Sequence, residues 1–333
     1  FSMSDSVYRP LLTNNTKFWA LLIVLILSTM CSLFTLYHLF FDHTLRKIRN
    51  NHIVAIVLLV GLICQVTNYP WMIYYYRVEG NWQRSSIFCG IWSYIDWTFY
   101  VLQTMLFAWA TIERHILIFH DHWMRTKTRQ IFIHYLPPLI VIVYCIVFYI
   151  LVDTLAPCEN WYNTGWMRCM FFCISLDYNF WVFETLVHQL IPCSFIVIFS
   201  IALIVRVIWT KIRAHQPIQW RKQRKMTVQL LGISFNYLIF YFPYTCYFFI
   251  SLWGNTSNLS SDLVSFLDFF SYFMMLGLPF ACMLSLPDLA KRLERMLRCG
   301  RQRQTVIPIT HTHLHETKNN TQKPTIAVKD KVG

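Results

Sequence analysis

The stretch that decides the fold is SIFCGIWSYIDWTFYVLQTMLFAWATIERHILIF, residues 86–119. Most of it is apolar, but it contains Cys89 near its start, Asp96 two turns later, and Glu113, Arg114 and His115 near its end. At about 1.5 Å of rise per residue, a helix from Cys89 to Arg114 covers roughly the thickness of a bilayer with its interfaces. Ionisable groups within such a run are costly in lipid, so they are candidates for function.

Six further apolar runs flank this segment, and each is long enough to cross about 30 Å of hydrocarbon as a helix. The predicted spans are Phe18–Phe41, His52–Tyr76, Ser86–Phe119, Ile131–Val152, Phe180–Trp209, Met226–Trp253 and Leu263–Leu286. The first is too long for a signal-peptide core, so we expect it to be a span. Composition agrees, because only 14% of residues are charged, against roughly 25% in soluble domains. We therefore predict an all-α membrane protein with a seven-transmembrane helix bundle.

Basic residues cluster on one side of this predicted bundle. The loops after spans 1, 3 and 5 and the tail carry 22 Lys and Arg, whereas the other side carries 5. The positive-inside rule places the tail in the cytoplasm and the N-terminus outside, as in a multi-pass protein of the plasma membrane. Glycosylation sequons at Asn14, Asn255 and Asn258 fall on the predicted outer side. The net charge of +13 lies in short blocks between spans, so we expect no nucleic-acid partner.

The composition of the chain divides it into four parts. We expect an extracellular N-terminus at 1–17, the bundle at 18–286, a short amphipathic eighth helix on the inner leaflet at 287–299, and a disordered cytoplasmic tail at 300–333. Cys299 at the end of the amphipathic segment is a candidate palmitoylation site. Six threonines in the tail are candidates for phosphorylation that recruits an arrestin-like regulator.

Four cysteines are predicted on the outer side: Cys89, and Cys158, Cys169 and Cys173 in the loop between spans 4 and 5. The outer face is oxidising, so we expect disulfides, and four cysteines allow three connectivities. The eleven cysteines form no CxxC pair. We therefore expect no metal site and no cofactor.

Span 3 resembles the third helix of rhodopsin-like G-protein-coupled receptors, which carries a disulfide cysteine at its outer end and a (D/E)R(Y/H/F) triplet at its base. Cys89 and the triplet at Glu113, Arg114 and His115 match this pattern and its spacing. The resemblance covers residues 18–299.

Other motifs of the family are partly present. Pro243 and Pro279 fall where the family kinks its helices, but Tyr241 replaces the tryptophan of the CWxP motif. The segment 278–283 has lost the Asn and Tyr of NPxxY, and Gly61 stands where a sodium-binding aspartate is expected. The sequence is therefore identified as a divergent member of the family.

The resemblance implies a receptor for an extracellular ligand that activates a heterotrimeric G protein. It implies that Glu113 pairs with Arg114 in the resting state. It also implies that Cys89 bonds the loop cysteine nearer span 5, so we favour Cys89–Cys173 with Cys158–Cys169, and place Cys89–Cys169 second.

The resemblance also implies a ligand site in the outer half of the bundle. In amine receptors, an aspartate at the position of Asp96 pairs with the ligand's ammonium group, and a tyrosine at the position of Tyr272 bonds that aspartate. Two further acids and three aromatic residues favour a cationic small molecule or a peptide: Glu184, Asp268, Trp97, Tyr100 and Tyr244. The alternative is that Asp96 makes a structural contact with a neighbouring group.

A seven-span transporter or channel is the second hypothesis. It predicts ionisable residues along a continuous path through the membrane, whereas the acids here cluster in the outer half. We expect no enzymatic activity, because the spans carry no HExxH motif and no serine–histidine pair at matching depth.

Overall fold

The computed structural model describes residues 11–46, 50–119, 126–155, 157–213, 231–252, 254, 260–285, 289 and 295. Most of these residues are helical, and the helices correspond to the seven predicted spans. Spans 1, 2 and 3 are Asn14–Phe41, Asn50–Arg77 and Ser86–Phe119, and span 4 is Lys127–Thr154. Span 5 comprises Tyr178–Glu184, Thr185–Leu190 and Ile191–Arg213. Span 6 comprises Leu231–Phe240 and Phe242–Leu252, and span 7 comprises Ser261–Ser271 and Phe273–Ser285.

Wherever both are described, the predicted and observed ends of these spans agree within four residues. Short helices at His43–Arg46 and Cys173–Leu176 connect the longer ones. Side-chain oxygens cap several N-termini, for example Asp177, which accepts from the backbone N–H of Phe180 at 2.9 Å at the start of span 5.

Hydropathy alone identifies fewer spans among the described residues. Five helices are long and apolar enough to cross a membrane, and a sixth is added if the two halves of span 6 count as one bent span. Span 3 is not among them, although it has 34 residues. Its polar residues explain this, because Asp96, Glu113 and Arg114 lower its hydropathy while each is at most 2% exposed. Span 3 is therefore a central helix that its neighbours shield from lipid.

Polar side chains lie inside the bundle, and apolar side chains cover its outside. Gln65, Asn68 and Gln103 are buried, whereas the outward faces of spans 1 and 4 are rich in Ile, Leu and Val. This arrangement suits a hydrocarbon surrounding, in which apolar groups need no burial and polar groups do. Span 1 packs on spans 2 and 7, span 3 on spans 2, 4 and 5, and span 6 on spans 5 and 7. Span 3 therefore packs against three other spans.

Several spans depart from regular α geometry. Ile131–Tyr135 in span 4 and Thr185–Leu190 in span 5 are π-helical turns. Span 6 bends by 50° between its two halves, just before Pro243. Proline lacks the N–H that a helix needs at this position, so a bend here has a direct cause. Span 7 is interrupted at Tyr272.

Side chains from three neighbouring helices bind backbone carbonyls in the middle of span 7. The bonds run from Ser28 to Leu276, from Tyr69 to Tyr272 and from Asn236 to Met274, with donor–acceptor distances of 2.8, 2.7 and 2.9 Å. Gly277 permits the approach of span 6, because a Cβ at this position would lie 2.0 Å from Asn236 Oδ1. Spans 1, 2 and 6 are thus all attached to span 7 at one depth.

The loop between spans 4 and 5 forms a hairpin over the outer end of the bundle. Its strands are β1 (Trp161–Tyr162) and β2 (Met170–Phe171), paired antiparallel. The Ser93 hydroxyl of span 3 donates to the carbonyl of Met170 at 3.2 Å, so β2 lies directly on span 3.

The disulfides differ from the pairing that we favoured. Cys89 bonds Cys169 and Cys158 bonds Cys173, which is the arrangement that we placed second. The hairpin explains the difference. Antiparallel pairing of β1 with β2 brings Cys158, before β1, next to Cys173, after β2. Cys169, at the end of β2 that meets span 3, then faces Cys89.

Some predicted features lie outside the described residues: the sequons at Asn255 and Asn258, the candidate lipidation site Cys299, and the tail at 300–333. Of the predicted amphipathic helix, Leu289 and Arg295 are described, and both are helical. Asn14 is described and is the first residue of span 1.

Candidate functional site

Asp96 is the acid at the centre of the outer half of the bundle, and it is 2% exposed. Its Oδ1 accepts a hydrogen bond from the Asn68 amide, and its Oδ2 accepts one from the Tyr272 hydroxyl at 2.9 Å. The Trp92 indole donates to Asn68 Oδ1 at 2.6 Å and so fixes the orientation of that amide. Two neighbouring spans therefore hold the carboxylate of span 3 in a defined position.

Arg168, from the loop hairpin, supplies the cation for this carboxylate. Its Nη1 lies 3.3 Å from Asp96 Oδ2, and its Nη2 lies 3.4 Å from Asp268 Oδ1. The guanidinium also lies over the Trp97 ring, 5.0 Å from its centroid. Burial works against its charge, but Tyr272, Asp96 and Asp268 together hold the pKa of Arg168 well above its usual range. Arg168 therefore stays protonated and bridges span 3 to span 7.

Arg168 is a site residue that the sequence patterns above do not identify, because it stands in a loop outside the predicted spans. One signal was present, because Arg168 directly precedes Cys169 and Asp96 lies two turns below Cys89. A disulfide between these two cysteines brings the arginine within side-chain reach of the aspartate.

A cavity of about 600 Å³ opens toward the outer side next to this bridge. Trp97, Glu184, Tyr244 and Asp268 line it. The other predicted ligand residues lie in a deeper recess of about 10 Å³, which Arg168 also lines: Asp96, Tyr100 and Tyr272. The structure thus brings all seven predicted ligand residues to one of two adjoining spaces.

Glu184 belongs to a polar cluster between spans 4 and 5. The Tyr149 hydroxyl donates to Glu184 Oε1 at 3.0 Å, and it lies 3.4 Å from His188 Nδ1. The other ring nitrogen of His188 lies 2.9 Å from the Tyr144 hydroxyl. His188 sits in the π-helical turn of span 5, which places both it and Glu184 on the inward side. Glu184 is therefore a partly satisfied acid at the edge of the cavity.

Tyr241 connects span 6 to span 5 at the bend. It is fully buried, and its hydroxyl donates to Gln189 Oε1. Its ring lies 5.3 Å from that of Tyr100 and 4.8 Å from that of Tyr237, measured between centroids. These buried rings form a layer below the recess, so span 6 is in contact with the floor of the outer site.

At the inner end of span 3, Glu113 bonds His134 of span 4. The contact joins Glu113 Oε1 to His134 Nδ1, and His134 Nε2 lies 3.3 Å from the Nδ1 of His52 in span 2. Arg114 is 1% exposed, and its Nε and Nη1 have no hydrogen-bond partner among the described residues. His115 packs edge-on against Phe199.

The ion pair between Glu113 and Arg114 that the resemblance implies is absent from the described residues. The physical reason lies in the π-helical turn of span 4, which directs the His134 side chain into the bundle. There His134 binds the Glu113 carboxylate. Arg114 instead lines a small cavity of about 10 Å³ whose other walls are mainly apolar, among them Ile233 and Leu278.

The family model of the 7 transmembrane receptor (rhodopsin family) matches residues 32–283. The chain belongs to this family. It is therefore a multi-pass membrane protein, and receptors of this family are not enzymes but act with ligands and G proteins. No curated protein matches the sequence.

Gly61 stands where the resemblance places a sodium-binding aspartate. Gly61 is close to span 3, since a Cβ there would lie 3.8 Å from the amide nitrogen of Gln103. No carboxylate stands at that place for a sodium ion. Within the described ranges, no group of three or more His, Cys, Asp or Glu is arranged to hold a metal ion.

Pro279 lies inside the inner half of span 7. Four residues before it, the carbonyl of Met275 loses its usual helical donor, because proline has no N–H. Together with the interruption at Tyr272, this loosens the helical bonding of span 7 in the same stretch whose carbonyls bind side chains of neighbouring spans.

Proposed function

We propose that the receptor binds an extracellular ligand in the outer cavity and activates a heterotrimeric G protein at its inner face. The observation that carries the proposal is the arrangement along span 3. An open cavity lies at one end, and the buried Arg114, with two unpaired nitrogens, lies at the other. A buried guanidinium with two nitrogens that lack acceptors is costly, so a partner that offers acceptors at the inner face would be stabilised there.

The walls of the cavity support a peptide or a cationic small molecule as the ligand. Lys17 and Arg168 provide positive charge, and Glu184 and Asp268 provide negative charge. Aromatic rings line much of the remaining wall, including Trp166, Trp181 and Tyr247. A ligand cation would pair with Glu184, because Asp96 and Asp268 are both already paired with Arg168.

The proposed mechanism is a shift between two packings of the same bundle. A ligand in the cavity contacts Tyr244 of span 6 and Asp268 of span 7. Tyr241 transmits a change in span 6 to span 5 through its bond to Gln189. The 50° bend next to Pro243 is the point about which the inner half of span 6 would move outward.

We also propose that the receptor lies in the plasma membrane with its N-terminus outside, supported by the excess of basic residues on the other side. The four-part division at 1–17, 18–286, 287–299 and 300–333, glycosylation at Asn14, Asn255 and Asn258, and lipidation at Cys299 belong to this proposal. So does recruitment of an arrestin-like regulator by phosphorylated tail threonines.

A nucleotide-exchange assay on membranes with a panel of G proteins tests the coupling. We expect basal or ligand-driven exchange from the wild type and at least a tenfold loss in Arg114→Ala. Arg77→Ala removes an exposed positive charge on the outer side and serves as the control, with exchange unchanged. Solute or ion flux through proteoliposomes without any nucleotide exchange would favour the transporter or channel hypothesis and reject the proposal.

A further inference from the structure

The guanidinium of Arg168 lies where a ligand cation would meet Asp96. It contacts Asp96 at 3.3 Å and Asp268 at 3.4 Å, and it covers the face of Trp97 at 5.0 Å. Two carboxylates and an aromatic face are the surroundings that favour a bound ammonium or guanidinium group. Here the cation comes from the chain itself.

Asp96 has little capacity left for a second cation. Its Oδ1 is bound by Asn68, and its Oδ2 is shared by Tyr272 and Arg168. At 2% exposure, this carboxylate would be strongly destabilised as an unpaired charge, so a paired cation is needed for it to remain ionised.

The backbone of the hairpin holds Arg168 in this position. Cys169 is bonded to Cys89 at the outer end of span 3, and the Ser93 hydroxyl lies between the carbonyls of Arg168 and Met170, 3.3 and 3.2 Å from them. On the other side, Arg84 donates to the carbonyl of Trp166 at 2.9 Å. A cation held so closely competes with free cations at an effective concentration of millimolar or above.

We propose that Arg168 is a tethered occupant of the Asp96 site, that it excludes small cations from this site, and that its removal opens a binding site for one guanidinium or ammonium group. The proposal deepens the ligand site of the proposed receptor function and rests on it for biological meaning. In the wild type, an external ligand therefore binds above Arg168 or displaces it. Arg168 determines which charges the cavity accepts.

Thermal unfolding of purified receptor in detergent, with methylguanidinium chloride as the probe at constant ionic strength, tests the proposal. Arg168→Ala should unfold at a lower temperature than the wild type. The probe should raise its melting temperature by about 3 °C at a concentration tenfold above Kd, and the rise should follow the logarithm of probe concentration above Kd. The wild type should show no such rise.

Two matched variants complete the experiment. In Arg168→Ala with Asp96→Asn, one of the two acids that attract the probe is neutral, so the shift should be much smaller. Arg77→Ala also lacks one outer arginine but keeps the bridge, and it should behave as the wild type does. Equal shifts in the wild type and in Arg168→Ala, or no shift in a folded Arg168→Ala, would overturn the proposal.

If Arg168→Ala does not fold, the near-isosteric Arg168→Gln replaces it. If neither folds alone, methylguanidinium present during solubilisation must restore folded receptor, and failure to do so rejects the proposal. Because these measurements involve no G protein, they separate the two ideas. Saturable probe binding without any nucleotide exchange would reject the coupling function and leave the tethered cation intact.

Discussion

Replacing Gly277 by alanine should destabilise the receptor, although alanine usually stabilises a helix. A Cβ at this position would lie 2.0 Å from Oδ1 and 3.0 Å from Cγ of Asn236. The amide must then turn away and lose its 2.9 Å bond to the carbonyl of Met274. Overpacking costs about 1–3 kcal/mol and the lost bond about 1 kcal/mol, whereas helix propensity returns about 1 kcal/mol. The net loss of about 2 kcal/mol corresponds to a melting temperature about 5 °C lower.

Thermal unfolding of the four receptors of a double-mutant cycle measures this contact. In an Asn236→Ala background the obstacle is gone, so Gly277→Ala should stabilise by up to about 1 kcal/mol. Gly61→Ala is the control, because its Cβ would meet Gln103 at 3.8 Å, an ordinary contact. If Gly277→Ala had the same effect with and without Asn236, within about 0.5 kcal/mol, the reasoning would be refuted.

Two further predictions concern the roof and the floor of the cavity. Peptide mapping under non-reducing conditions should recover Cys169 linked to Cys89 and Cys173 linked to Cys158. A peptide that joins Cys173 to Cys89 would contradict the structure. Tyr241→Phe should lower the melting temperature by several degrees, because the buried amide of Gln189 loses its hydrogen-bond donor. Such a loss costs about 1–3 kcal/mol of stability. An unchanged melting temperature would show that this bond contributes nothing.

Much of the fold could be predicted from the sequence because the membrane imposes a simple rule. A helix must present about 20 mainly apolar residues to cross the hydrocarbon, and such runs are visible without any knowledge of neighbours. Span 3 shows where that rule weakens. Its ionisable residues remove it from the helices that hydropathy identifies, and its assignment rests instead on the distance from Cys89 to Arg114.

The partners of the site residues could not be predicted in the same way, because they depend on the register of distant segments. His134 binds Glu113 because a π-helical turn changes the direction of its side chain. No local sequence pattern predicts that turn. The hairpin register likewise decides that Cys89 bonds Cys169. The acid Asp96 could be identified from its depth in span 3, but its cation, Arg168, lies 72 positions further along the chain.

Three carbonyls of span 7 accept hydrogen bonds from side chains of spans 1, 2 and 6. Ser28 and Tyr69 join span 7 to spans 1 and 2 by one hydrogen bond each. At the same depth, the amide of Asn236 joins span 6 to span 7 by a hydrogen bond of 2.9 Å. Such a bond is worth about 1 kcal/mol, less than twice the thermal energy. The hydrogen bond that joins span 6 to span 7 at this depth is therefore weak enough to break and re-form at ambient temperature.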